Sequence, residues 1–285
     1  MFIFSELLFG AFLPIIATIS YATLGSFVSL AVSTLIAAVF FGALITYRRH
    51  WKEMQDRTFI AYSFGTGMFV SVLFFGFFFW GLKYTTPGNA AIIILFQVFT
   101  SYVFFRWYRR EVVPFSHIIG SVLMVIGALI ILAPGFKGFN VGDVLVLLGT
   151  FATPMGNYFQ QEARKLGSSE SLLFLRSMFA LPFLFFLALL IDAHPSWTDL
   201  STSLPYLLIN GFLLLGFAKL LWVEGIHRIP VTKAIAITSI GPLFTLFFAW
   251  LLLHQVPTVW QLTSLAPLIL GVLLLTDHVK FPQRF

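Results

Sequence analysis

The sequence predicts an all-α integral membrane protein of ten transmembrane helices, built as two inverted five-helix repeats over residues 1–137 and 138–285. Three observations predict it. The chain is 59% hydrophobic and 10% charged, where an ordinary soluble domain carries about 25% charged residues, so a water-facing coat cannot be assembled from it. The basic residues gather in alternate connections between apolar runs. The chain also resembles itself at an offset of 144 residues.

Apolar runs of about 18 to 22 residues, the length that crosses about 30 Å of hydrocarbon, lie near 3–21, 27–47, 59–81, 88–108, 115–133, 142–162, 171–191, 204–224, 232–253 and 259–276. The first opens on MFIFSELLFG with no basic segment ahead of it, so it reads as a retained helix rather than a cleaved signal. The second is followed by Arg48, Arg49, Lys52 and Arg57, and the third ends in the turn from Lys83 to Gly88. Arg106, Arg109 and Arg110 close the fourth, and Ala133-Pro134-Gly135 closes the fifth. Arg164 and Lys165 follow the sixth, and Asp192-Ala193-His194-Pro195 the seventh. Arg228-Ile229-Pro230 and Lys233 link the eighth to the ninth, while Lys280 and Arg284 follow the tenth.

Ten spans place both termini on one side. Those thirteen basic loop residues then share one face, with Arg176 and Lys219 near it inside spans; Lys83 and Lys137 lie on the other. By the excess of Lys and Arg in cytoplasmic loops, both termini are expected in the cytoplasm. The same sorting accounts for the net charge of +6 without a nucleic-acid partner, since no contiguous basic face exists. There is no cysteine, which excludes disulfides and thiolate chemistry. The six histidines stand singly, and neither a metal-ligand spacing, a phosphate loop nor a nucleophile elbow occurs, so no catalytic residue, metal or cofactor is expected.

At the 144-residue offset, Gly81, Ala90, Ile93, Phe104, Gly127 and Leu129 fall on Gly225, Ala234, Ile237, Phe248, Gly271 and Leu273. Five spans per half is an odd number, so the second half must enter the membrane from the opposite side. Two halves of similar energy in mirrored arrangements can exchange shapes and open a midplane site to each side in turn. The alternative is a static duplication, a scaffold or sensor that moves no solute.

The segments Gly81-Leu82-Lys83-Tyr84-Thr85-Thr86-Pro87-Gly88-Asn89-Ala90-Ala91 and Gly225-Ile226-His227-Arg228-Ile229-Pro230-Val231-Thr232-Lys233-Ala234 resemble the junction of the third and fourth helices in each repeat of EamA-type transporters, within the drug/metabolite transporter superfamily. The second copy keeps Gly241-Pro242 and Trp250, with Gln255 where Glu is usual; the first keeps Glu111, Gly120 and Gly127, with Gln97-Val98 where Gly-Pro is usual. Arg176 and the Ser177-Met178-Phe179 that follows look like the opening of the family's second helix in the second repeat. The resemblance covers the whole chain. It implies a multi-pass permease of small metabolites, with a bacterial inner membrane as its expected location, and leaves cargo, direction and coupling ion open.

Candidate site residues follow from depth in the spans. Gln97 lies near the centre of the fourth, and Asn157, Tyr158 and Gln161 follow Thr153-Pro154 in the sixth. Pro14, Pro154 and Pro242 mark helix breaks, since a proline removes a backbone donor and can leave a carbonyl free, and broken helices near the midplane commonly hold substrate. Lys219 is the deepest cation. Trp80 and Trp222, near span ends, can stack on cargo or anchor at the interface. Glu6, Arg176, Glu224 and Lys233 are candidates for gating or charge compensation, placed where long side chains also snorkel to the interface. No carboxylate falls at the midplane, so no coupling ion is named. Gly120, Gly127 and Gly271 make smooth faces that serve packing within the chain or a homodimer.

Overall fold

The computed structural model describes residues 2–109, 114–132, 139–192, 196–229, 234 and 237–277. Among them every regular element is helical. We number the helices α1 (Phe2–Leu24), α2 (Ser26–Arg48), α3 (Arg57–Leu82), α4 (Pro87–Tyr108), α5 (Phe115–Leu132), α6 (Val141–Leu166), α7 (Ser169–Ile191), α8 (Trp197–Arg228), α9 (Gly241–Leu253) and α10 (Val259–Leu275). Seven of these, α1 to α5, α7 and α8, are long and apolar enough to cross a bilayer, and α9 and α10 are shorter apolar helices. The remaining helix, α6, is the polar one, carrying Asp143, Asn157, Gln160, Gln161, Glu162, Arg164 and Lys165. Seven spanning helices in one chain make this a multi-pass integral membrane protein.

The helix starts are written locally. Asp56 accepts from the Thr58 and Phe59 amides at the head of α3, Thr86 caps α4 with Pro87 in the first turn, and Asn140 and Ser168 cap α6 and α7. Ser196 with Asp199, and Thr258 with Gln261, form reciprocal capping boxes on α8 and α10. α9 starts at Ile240 without a side-chain cap, and α2 borrows one. Its cap position is Gly25 at φ 85°, which has no side chain to offer, and the acceptor comes from another helix: Asp192 Oδ2 takes the Phe27 and Val28 amides at 2.6 and 2.8 Å.

Packing pairs the helices in a matched way. α5 lies against α10, α2 against α7 and α4 against α9; α3 packs on α6 as α8 packs on α1, α3 on α7 as α8 on α2, and α4 on α6 as α9 on α1. Shifting a helix number by five turns each of these contacts into another of them or into itself. Glycines hold the register. A Cβ on Gly127 would meet Leu268 at 2.5 Å and the Ser264 carbonyl at 3.1 Å, while one on Gly271 would meet Met124 at 2.7 Å and the Gly120 carbonyl at 2.8 Å. Hydrocarbon gives apolar side chains no reason to leave lipid for a neighbouring helix, so such close backbone approach supplies the packing energy. Gly67 and Gly211, also 144 apart, repeat this against α7 and α2, with the Arg176 and Ser33 carbonyls 2.9 and 2.6 Å from a built Cβ. Each sits in or at a wide π-helical stretch, Gly67–Phe74 in α3 and Ile209–Phe217 in α8.

The outer surface is correspondingly apolar. Val39, Phe183 and Phe247 are exposed within helices, and Tyr47, Trp107, Tyr108 and Trp197 are exposed near helix ends, where aromatic rings sit at the headgroup level.

Candidate functional site

The helices leave a cavity of about 150 Å³ walled by α1, α3, α4, α6, α7 and α8, and by the segment from Thr238 to Thr245 at the start of α9. Each wall contributes for a local reason. α1 presents Glu6, Gly10 and Pro14; a Cβ on Gly10 would stand 3.3 Å from Glu6 Oε1, so the carboxylate lies along the helix surface that the glycine leaves bare. α3 contributes Val70, Phe74 and Phe75.

α4 is interrupted at its cavity face. Its helical segments are Pro87–Ile94 and Gln97–Arg109, joined by a tight turn in which the Leu95, Phe96 and Val98 amides reach back three residues instead of four. Gln97, the first residue beyond the turn, lines the cavity.

The prolines behave differently from their expected role as breaks. Pro14 and Pro154 lie inside α1 and α6, which run on through them. The carbonyl that Pro154 deprives of its intrahelical donor is that of Thr150, and Thr100 Oγ1 of α4 donates to it at 2.9 Å. On the other side, Thr245 Oγ1 donates to the Ala11 carbonyl, three residues before Pro14, at 2.9 Å. Those carbonyls therefore join α4 to α6 and α9 to α1. Pro242 stands in the first turn of α9, where no amide is needed, and it and Pro14 line the cavity.

Two cations face the cavity in unlike settings. Lys219 Nζ lies 2.6 Å from Glu6 Oε1, the pair being 15% and 7% exposed. Arg176 is buried, donates from Nε to Ser71 Oγ at 2.7 Å and sits 5.6 Å from the centre of the Phe75 ring. Its Nη1 has no hydrogen-bond partner, and among the described residues no carboxylate comes within ion-pair distance of it. On α6, Gln160 donates to Asn157 Oδ1 at 3.3 Å, which leaves Asn157 Nδ2 and Gln160 Oε1 without partners, as is Thr153 Oγ1. Asn157 and Gln160 can trade these roles by rotating their amides, and one donor and one acceptor stay open either way.

Of the residues singled out from sequence, the cavity thus brings together Gln97, Asn157, Lys219, Trp222, Glu6, Arg176, Pro14 and Pro242. Five others lie elsewhere, Pro154 among them inside α6. Tyr158 packs near Tyr108 and Phe159. Gln161 donates to the Ile226 carbonyl at 3.1 Å, and Trp80 leans on Phe27. Glu224 accepts from Arg164 Nη2 at 2.9 Å and Ser169 Oγ at 2.5 Å. Gln161 and Glu224 therefore tie α6 to α8 beside the basic connections. Lys233 lies outside the described residues. Thr153 and Gln160 were not singled out, although their spacing of four and three residues from Asn157 places all three on one helix face.

A model of the EamA-like transporter family matches residues 1–133 and 140–277. An uncharacterized transporter, YoaV of Bacillus subtilis (strain 168), is 23% identical over 202 residues, a match that covers 69% of this chain and spans 66% of that relative's length. A solved crystal structure superposes over 98% of both chains with a TM-score of 0.67 at 15% identity, which speaks to the fold alone. With two family matches that together span nearly all of the chain, this protein belongs to the EamA-like transporter family.

Proposed function

We propose that the protein is a secondary-type transporter that carries a small organic metabolite across the membrane by alternating access, with the solute held in the cavity between residues 1–137 and 138–285. In this reading ten helices cross the membrane as two five-helix repeats of opposite orientation, and both termini face the cytoplasm of a bacterial inner membrane. The matched helix pairs and the glycine contacts at Gly127 and Gly271 support the repeat. Inversion rests on the odd span number and on the one-sided basic loops.

The observation that carries the reading is the group of buried polar atoms without protein partners on Thr153, Asn157 and Gln160 of α6 and Arg176 of α7, all lining the cavity. Buried polar groups in a folded protein are normally satisfied, and a cavity that leaves several open is built to receive donors and acceptors from a solute. Gln97, Asn157, Lys219 and Trp222 are then solute contacts. Glu6 and Arg176 set the cavity charge, while Glu224, Gln161, Tyr158 and Trp80 hold the helices around it.

Vesicles reconstituted with the purified protein test this directly. Uptake or exchange of at least one small organic solute is expected, reduced by Gln97→Ala and by Asn157→Ala in protein that remains folded. Vesicles that move nothing from a broad panel would leave a scaffold or sensor instead. Chain ends found on opposite faces by tag accessibility would remove the inverted arrangement.

A further inference from the structure

We propose that the cavity selects a small organic monocarboxylate, whose carboxylate binds the Arg176 guanidinium and whose apolar body lies against Phe74, Phe75 and Trp222. This rests on the transport reading only for the passage of the solute; binding stands on the cavity itself.

The argument is one of charge balance in a low-dielectric site. An isolated charge inside a membrane protein is unfavourable unless it is paired, so intramembrane cations usually have named partners. The other well-enclosed cation obeys this: Lys219 holds Glu6. Four basic residues nearer the surface do the same, Arg164 and Arg228 with Glu224, Arg48 with Glu170, and Lys165 with Glu162. Arg176 is 4% exposed, and among the described residues its one acceptor is a serine hydroxyl. Among the described residues the cavity therefore holds two cations and one carboxylate, a surplus of one positive charge.

A single carboxylate removes the surplus. Guanidinium presents a planar fork that matches two carboxylate oxygens, and with Nε engaged by Ser71, its remaining nitrogens are the ones left for a solute. Asn157 Nδ2 and Thr153 Oγ1 add donors on the same cavity. The opposite charge fits poorly. An ammonium would add a second unbalanced positive charge to the described lining, and the Glu6 Oε1 that could answer it already accepts from Lys219. A zwitterion would leave the surplus charge in place. The remaining wall is apolar and aromatic, which suits a hydrocarbon or ring body.

The test is a charge series on one body. Thermal unfolding of the detergent-purified protein at fixed ionic strength is followed with phenylacetate, 2-phenylethanol, phenylalanine and phenylethylamine, with acetate and hexanoate as shorter and aliphatic carboxylates, and with chloride as a bare anion. A carboxylate should stabilise the protein more than the alcohol, the zwitterion or the amine. Arg176→Met should weaken that binding on the order of tenfold or more, and Arg176→Lys should restore part of it. Carboxylates that bind no better than 2-phenylethanol would overturn the proposal, as would chloride alone giving the whole effect or affinity unchanged in Arg176→Met. Should that variant fail to fold, the wild-type series still decides. Counterflow in vesicles separates the two readings. Arg176-dependent binding without movement removes transport and keeps the site, while movement of the amine or alcohol without carboxylate binding keeps transport and removes the site.

Discussion

At Gly127 the backbone of α5 meets Leu268 and the Ser264 carbonyl of α10; 144 residues later, at Gly271, α10 meets Met124 and the Gly120 carbonyl of α5. Position for position, the two halves make the same contact from opposite partners. At the centre this equivalence stops. Arg176 projects from α7 into the cavity, and its counterpart at the same offset on α2 is Val32. Lys219 answers to Phe75, and Glu6 to Thr150. The frame tolerates a matched plan because close helix approach needs only small residues at fixed depths. In the proposed reading the cavity does not keep it, because one solute has one charge distribution and cannot present the same face to both halves.

Four measurements can break or sharpen that contrast. The largest effect is expected at the central ion pair. Glu6→Gln or Lys219→Met leaves a buried charge alone and should destabilise the detergent-solubilised protein by roughly 3–5 kcal/mol, whereas the double variant should recover most of the loss. A double variant no better than the singles would mean that the pair is not coupled. Next come the matched glycines. Gly127→Ala and Gly271→Ala each push a methyl into the facing helix and should lower stability by about 1–3 kcal/mol, to similar degrees; a large effect at one and none at the other would contradict equivalent packing. Smaller again is the contrast between the two ends of the α2 and α7 pair. Asp192→Ala removes the cap of α2, at about 0.5–2 kcal/mol. Arg48→Ala removes a half-exposed bridge to Glu170, at about 1 kcal/mol or less.

The smallest effect is one of pH. Glu53 lies in the short turn between α2 and α3. Burial raises its carboxyl, but the amide and hydroxyl of Ser168 oppose this, donating to it at 2.9 and 2.7 Å, and hold it below the usual glutamate range. A group with a lowered folded-state value stabilises above its unfolded value and loses that contribution as pH falls through the folded one. Glu53→Gln should therefore flatten the stability profile on the acid side of the ordinary carboxylate range and leave its slope near neutrality unchanged.

Much of this frame was legible in the residues. The apolar runs lie close to the helices, and Gly127 and Gly271 announced themselves because a glycine recurring at a fixed point in an apolar helix has few uses besides close packing. Gln97, Asn157, Arg176 and Lys219 stood out because polar groups are rare at such depth. Partnership was not legible: Glu6 and Lys219 are 213 residues apart, and nothing local in either segment names the other. The interruption of α4 at Leu95 and Phe96 also has no sequence mark, since neither proline nor glycine stands there. Conversely Pro154 carried the mark of a break, and a threonine on a neighbouring helix repaired it.

The borrowed cap on α2 has a consequence for how the chain is made. Asp192 follows Phe27 by 165 residues, so when α2 first enters the bilayer the carboxylate that will close its amino end has not been synthesised. Until α7 arrives, those two amides must stay with water or lipid headgroups. The amino-terminal portion thus waits on later translation to finish one of its own helices, and a nascent chain truncated before α7 should leave α2 frayed at that end.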